Sequence, residues 1–108
     1  MSQVSKRVGT KLLFENDRVR VWDLALEPGE STGLHRHESD FLYVVIGDGE
    51  LQTRFADGSV DPPRQMHDGD VRFRIGGETR DHEAINTGSS PWRNIVVEFK
   101  DESPESAE

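Results

Sequence analysis

Residues 28–49 read PGESTGLHRHESDFLYVVIGDG, and the fold turns on how this stretch divides. Its first half carries His35-Arg36-His37 with Asp40 three residues on; its second half is the unbroken apolar run 41–46, closed by Gly47-Asp48-Gly49. In an extended chain successive side chains alternate, so residues 35 and 37 share a face and their imidazoles can meet at one point, while Glu38 points away. Asp40 adds a hard oxygen donor to two borderline nitrogen donors. That mixture suits Fe, Mn, Ni, Cu or Zn better than Ca or Mg. A further candidate ligand is His82, far along the chain in a second extended stretch, residues 79–86.

The run FLYVVI is rich in β-branched and aromatic residues and has no polar position, so both faces of that strand are expected to be buried. One face would meet a partner sheet and the other a second subunit. Outward from it the pattern stays extended. Residues 11–15 read as a strand, Asn16-Asp17 as a turn, and residues 18–26 as a strand with Trp22, Leu24 and Leu26 on one face. Pro28-Gly29 ends it, because proline cannot donate to a sheet ladder. Residues 51–55 form a strand, Asp57-Gly58 is a hairpin signal, and Asp61-Pro62-Pro63 interrupts any central strand. Val71, Phe73 and Ile75 alternate with Arg72 and Arg74, as a half-buried strand does; residues 92–100 close the domain. No stretch has helical period, and short strands between Gly and Asp turns indicate an all-β sandwich or barrel.

Composition narrows the function. Of 108 residues, 21 are acidic and 13 basic, a net charge of −8 that argues against a nucleic-acid partner. There is no cysteine, which removes disulfides, thiolate metal sites and cysteine nucleophiles. No apolar run is long enough to span a membrane and residues 1–10 lack the apolar core of a signal peptide, so a cytoplasmic location is expected. Residues 1–10 read as an N-terminal arm, 11–100 as one domain, and the acidic segment 101–108 as a disordered tail.

The spacing Gly29-x5-His35-x-His37-x2-Asp40-x6-Gly47, followed by Gly69-x5-Ile75-x-Gly77-x4-His82-x3-Asn86, resembles the two motifs of the cupin family. It departs from them in having Asp for Glu one residue early, Ile for Pro at 75, and two extra residues before His82. Among cupins the chain is most similar to small stand-alone bacterial members, some of them named for an association with β-alanine degradation. The resemblance implies a double-stranded β-helix, or jelly-roll barrel, with one divalent transition metal (Fe, Mn, Ni or Zn) in its lumen on His35, His37, Asp40 and His82.

Such a site leaves coordination positions open, so a chelating organic acid could be polarised by the ion acting as Lewis acid, and Fe(II) would add oxygen chemistry. Arg72 and Arg74, if their face is luminal, would suit a carboxylate through forked, charge-assisted hydrogen bonds; Arg54 and Asn86 are further pocket candidates. Two functions stay open: a metal-dependent oxygenase or lyase acting on a small organic acid or amino-acid derivative, and a non-catalytic metal- or metabolite-binding protein whose lumen is packed by Leu42, Val44 and Phe73. A homodimer with a small-molecule ligand, and no membrane or nucleic-acid partner, is expected in both. Free imidazole titration predicts metal release below about pH 6.

Overall fold

Strand β8, Trp92–Phe99, is the centre of the architecture, and its alternating burial shows why. Trp92, Asn94, Val96 and Glu98 point inward and are buried, whereas the residues between them face outward. The computed structural model describes residues 8–76 and 81–100. In chain order the strands are β1 (Lys11–Glu15), β2 (Val19–Leu26), β3 (Phe41–Ile46), β4 (Gly49–Phe55), β5 (Arg64–Met66), β6 (Val71–Arg74), β7 (His82–Asn86) and β8. They make a five-stranded sheet, β1-β2-β8-β3-β6, and a three-stranded sheet, β5-β4-β7, with every pairing antiparallel. No helix is present among the described residues, and none is long and apolar enough to cross a membrane.

The turns follow from local chemistry. The Asn16 side-chain carbonyl accepts the N–H groups of Arg18 and Val19, both at 2.8 Å, and so turns β1 into β2. Gly47 and Gly69 hold φ of +76° and +87°, a region that side chains with a Cβ seldom enter. Asp61-Pro62-Pro63 precedes a strand of only three residues, β5, at a sheet edge. Thr10 ties the arm to the sheet, its N–H donating to the Asp23 carbonyl at 2.8 Å. Just before it, Val8 is buried against Trp22, Phe41 and Val96. Residues 1–7, Gly77 with residues 78–80, and the acidic segment 101–108 lie outside the described residues.

The core is built from inward positions of both sheets: Leu24, Leu26, Val45, Met66 and Trp92 in one cluster, Val8, Trp22, Phe41 and Val96 in another. Trp22, Leu24 and Leu26 share the buried face expected of them. The facing of β6, open in the sequence, follows from its register. Phe41 pairs with Arg74, Leu42 with Phe73, Tyr43 with Arg72 and Val44 with Val71. Directly opposed residues share a face, and Phe41 is buried inside, so the arginine face of β6 turns toward the lumen. Its apolar face is outside, with Phe73 53% and Val71 52% exposed. Leu42 and Val44 belong to that outer face and do not pack the lumen. A row of apolar residues, Phe14, Val21, Val97, Leu42 and Phe73, therefore crosses the outside of all five strands.

Candidate metal centre

The histidines converge because of an irregularity. Residues 31–40 form no continuous strand; they lie along β7 through isolated bridges at Ser31–Ile85 and His35–His82. Thr32 and His35 both face the lumen although they are three residues apart. Regular alternation from Thr32 would bring Leu34 and Arg36 inward. Gly33, at φ +75°, absorbs the odd residue and resets the parity, so His35 and His37 enter and Arg36 leaves. Outside, the Arg36 guanidinium donates through Nε and Nη2 to both Asp81 oxygens at 2.9 and 3.0 Å, pinning the segment beside the start of β7. This bond holds the Asp81 carboxyl below its ordinary range.

His35 and His82 face each other as a hydrogen-bonded antiparallel pair: His35 N–H donates to His82 O at 2.8 Å and His82 N–H to His35 O at 3.1 Å. Their ring centroids are 4.6 Å apart; His37 lies 4.9 Å from His35 and 5.3 Å from His82. One nitrogen from each ring falls within 4.8 Å of the others. His37 stacks on Phe41 at 3.7 Å, which fixes its plane.

Donor chemistry fits a cation. His35 Nδ1 lies 3.1 Å from the Gly33 carbonyl, which can only accept, so the hydrogen sits on Nδ1 and Nε2 presents its lone pair. The Nδ1 of His37 is buried without any hydrogen-bond partner. Burial pushes His35 down from 6.5 to about 4, and burial followed by the other two histidines pushes His37 down to about 2. Both rings are thus neutral, as ligation requires.

Around the histidines lies a cavity of about 210 Å³, lined by both sheets. Arg74 lines it, as do Tyr43 and Arg64; Asp61 is its carboxylate among the described residues. Arg72, opposite Tyr43, is close enough to act on that phenol electrostatically. The other expected site residues sit elsewhere. Asp40 is exposed, and its Oδ1 accepts the Gly76 N–H at 3.0 Å, outside the histidine group. Arg54 pairs with Glu83 at 2.8 Å, on the faces of β4 and β7 turned away from His82. Asn86 is buried, donates to Leu26 O and Ser90 O, and accepts from Gly88 N–H, each at 2.9 Å, a set that staples β7 to two loops. Arg64 and Gly33 went unread in the sequence. Arg64 follows a proline pair that announces only a break, and Gly33 would have shown itself only to a count of parity from Thr32.

No protein-family model matches the chain. It is 39% identical over 76 residues to an oxalate-binding protein of Thermotoga maritima, a match covering 68% of this chain and 56% of that protein. It is 30% identical over 86 residues to the β-alanine degradation protein BauB of Pseudomonas aeruginosa, covering 80% of this chain and 86% of that one. Among solved structures, a cupin domain from Bordetella pertussis Tohama I superposes with a TM-score of 0.74 at 28% identity, over 94% of this chain and 100% of that one. With its paired sheets, its inward histidines and these relatives, the chain belongs to the cupin family and has its double-stranded β-helix fold.

Proposed function

We propose that this cupin holds one divalent transition metal ion per chain on His35, His37 and His82 and presents it to a small organic acid or amino-acid derivative. The observation that carries the reading is the meeting of three imidazole nitrogens within 4.8 Å, drawn from two distant parts of the chain. Three imidazole nitrogen donors suit Fe, Mn, Ni or Zn. An ion held there supplies Lewis acidity and, if it is iron or manganese, redox chemistry. The residues of the chain do the rest: Gly33 O orients His35, Phe41 orients His37, and the apolar lining of Leu24, Leu51, Phe55 and Val96 thins the water around the ligand. In this reading Asp40 either reaches the ion through water or serves only to hold residues 39–41 against Gly76. The chemistry would be that of an oxygenase or a lyase. The ligand class draws on the Thermotoga relative, whose name records oxalate binding.

A second reading, a binding protein without catalysis, draws on the scarcity of acid–base groups: among the described lining residues the carboxylate is Asp61, which is exposed. In either case we place the protein in the cytoplasm as a homodimer, with the outer apolar row from Phe14 to Phe73 as the interface. Elemental analysis of protein purified without added metal tests the central claim. About one equivalent of a transition metal, lost in His35→Ala, His37→Ala and His82→Ala and kept in His67→Ala, is expected; a chain that takes up no metal at neutral pH refutes it.

A further inference from the structure

The histidines occupy only part of the cavity, and its remaining lining includes two arginines and a tyrosine. Arg64 comes from β5 in the three-stranded sheet and Arg74 from β6 in the five-stranded sheet, so two guanidiniums from opposing walls border one space. Arg20, Arg36, Arg54, Arg93 and Lys100 each lie within 4.0 Å of a carboxylate oxygen. Arg64 and Arg74 have no such partner among the described residues; Arg74 donates only to the Phe73 carbonyl, at 3.1 Å. What sets these two apart is their place: both border the cavity, from opposite sheets.

Tyr43 adds a donor. It is half-buried, it lines the same cavity, and the contact of its hydroxyl is the Met66 thioether at 3.9 Å, a weak acceptor. Burial raises the phenol above its ordinary range while Arg74, Arg72 and Arg64 oppose that rise and Asp70 adds to it. The O–H therefore stays protonated and able to donate. Arg64 and Arg74 against Asp61 leave the lining net positive in a protein of charge −8.

We propose that Tyr43, Arg64 and Arg74 form an anion-recognition half-site that takes one carboxylate of a small dicarboxylate, while the other carboxylate is directed to the histidine centre. The second clause rests on the metal reading above; the first does not. Guanidinium forks match the planar carboxylate better than an ammonium would, and the phenol supplies a further donor to the same oxygens. Arg64 and Arg74 are specificity-determining: they choose an anion over a neutral analogue of equal size, because the neutral analogue leaves both cations unmatched.

Titration calorimetry with malonate and with its neutral isostere malonamide, on zinc-loaded and on zinc-free protein, tests this. Malonate is expected to bind at least tenfold tighter than malonamide, and Arg64→Gln and Arg74→Gln each to weaken malonate about tenfold, with zinc uptake unchanged at one per chain. Arg74→Lys, which keeps the charge and loses the fork, should fall between wild type and Arg74→Gln; Tyr43→Phe should weaken malonate by a smaller factor. Arg18→Gln, an exposed position away from the cavity, controls for net charge and should bind as wild type does. Circular dichroism verifies that each variant folds. Malonate affinity unchanged in the Arg64→Gln/Arg74→Gln double variant, or malonamide binding as tightly as malonate, overturns the proposal. If zinc fails to bind while malonate still requires Arg64 and Arg74, the metal reading falls and the half-site stands; if zinc binds and malonate ignores the arginines, the half-site alone falls.

Discussion

His35 and His82, 47 positions apart, exchange both of their backbone hydrogen bonds, at 2.8 and 3.1 Å, and so present their imidazoles on one side with ring centroids 4.6 Å apart. Two candidate ligands are thereby positioned by main-chain geometry, which does not depend on the rotamers of long side chains. The third, His37, is positioned by stacking on Phe41. A site built this way carries a cost, because the buried Nδ1 of His37 has nothing to bond in the protein itself.

Replacing that ring by an apolar side chain should therefore stabilise the metal-free protein while ending metal binding. His37→Leu removes an unsatisfied buried polar group, whose burial costs about 1–3 kcal/mol, and keeps most of the contact with Phe41. Urea unfolding of metal-free wild type and variant should show a gain of roughly 1 kcal/mol. A marked loss would mean that the nitrogen has a partner in solution.

Gly33 has open space where a Cβ would stand, so the cost of Gly33→Ala comes from its φ of +75°. A single residue forced into that region costs about 1–2 kcal/mol. The expected outcome is a stability loss of that order together with weaker metal binding, since relaxing the kink rotates His35 and frees its Nδ1–H from Gly33 O. Metal affinity equal to wild type would show that the parity of residues 35 and 37 does not depend on this glycine.

Asp40→Asn keeps an acceptor for the Gly76 N–H and removes the charge. If the carboxylate serves the loop, the variant binds one metal per chain with nearly wild-type affinity. A loss of tenfold or more in competition titration with a chelator would assign Asp40 to the ion.

Acid should destabilise the metal-free protein over a defined window. The unfolded chain takes up protons on histidine as pH falls through about 6.5, whereas His35 in the fold resists until about 4 and His37 until about 2. Between pH 6.5 and 4 the unfolded state holds more protons, so stability declines with falling pH by up to roughly 1.4 kcal/mol per unit for each ring. The same shifts move proton competition for the metal downward, from the pH 6 expected of free imidazole toward pH 4. Urea midpoints at pH 7, 5.5 and 4.5 test the window; a profile that is flat for wild type contradicts it, and His37→Leu should flatten it in part.

Phe73 is 53% and Phe14 54% exposed on the outer row of the five-stranded sheet. If a second copy covers that row, Phe73→Lys places a charge in the interface and should convert the species seen by light scattering from two chains to one, leaving the strand intact because its inward neighbours Arg72 and Arg74 are unchanged. Wild-type protein that is monomeric at micromolar concentration would remove the homodimer from the proposed function.

The strands were legible because the signal is local. Alternation in residues 18–26 and the β-branched run 41–46 need no tertiary information, and Pro and Gly mark the ends of both. The histidines were legible as well, because two of them sit at a spacing that alternation understands. What the tertiary structure decided was direction. Alternation says that Phe73 and Arg74 face opposite ways, yet only the pairing of Arg74 with inward Phe41 says that the arginine is the one inside. Burying apolar side chains is the usual rule, and β6 departs from it at the edge of its sheet, where one face meets the cavity and the other an unfilled row. Arg64 escaped notice for the same reason, since its meaning comes from a neighbour on another strand. The three histidines are written in the chain, while their convergence depends on one left-handed glycine and one pair of backbone hydrogen bonds between residues 47 positions apart.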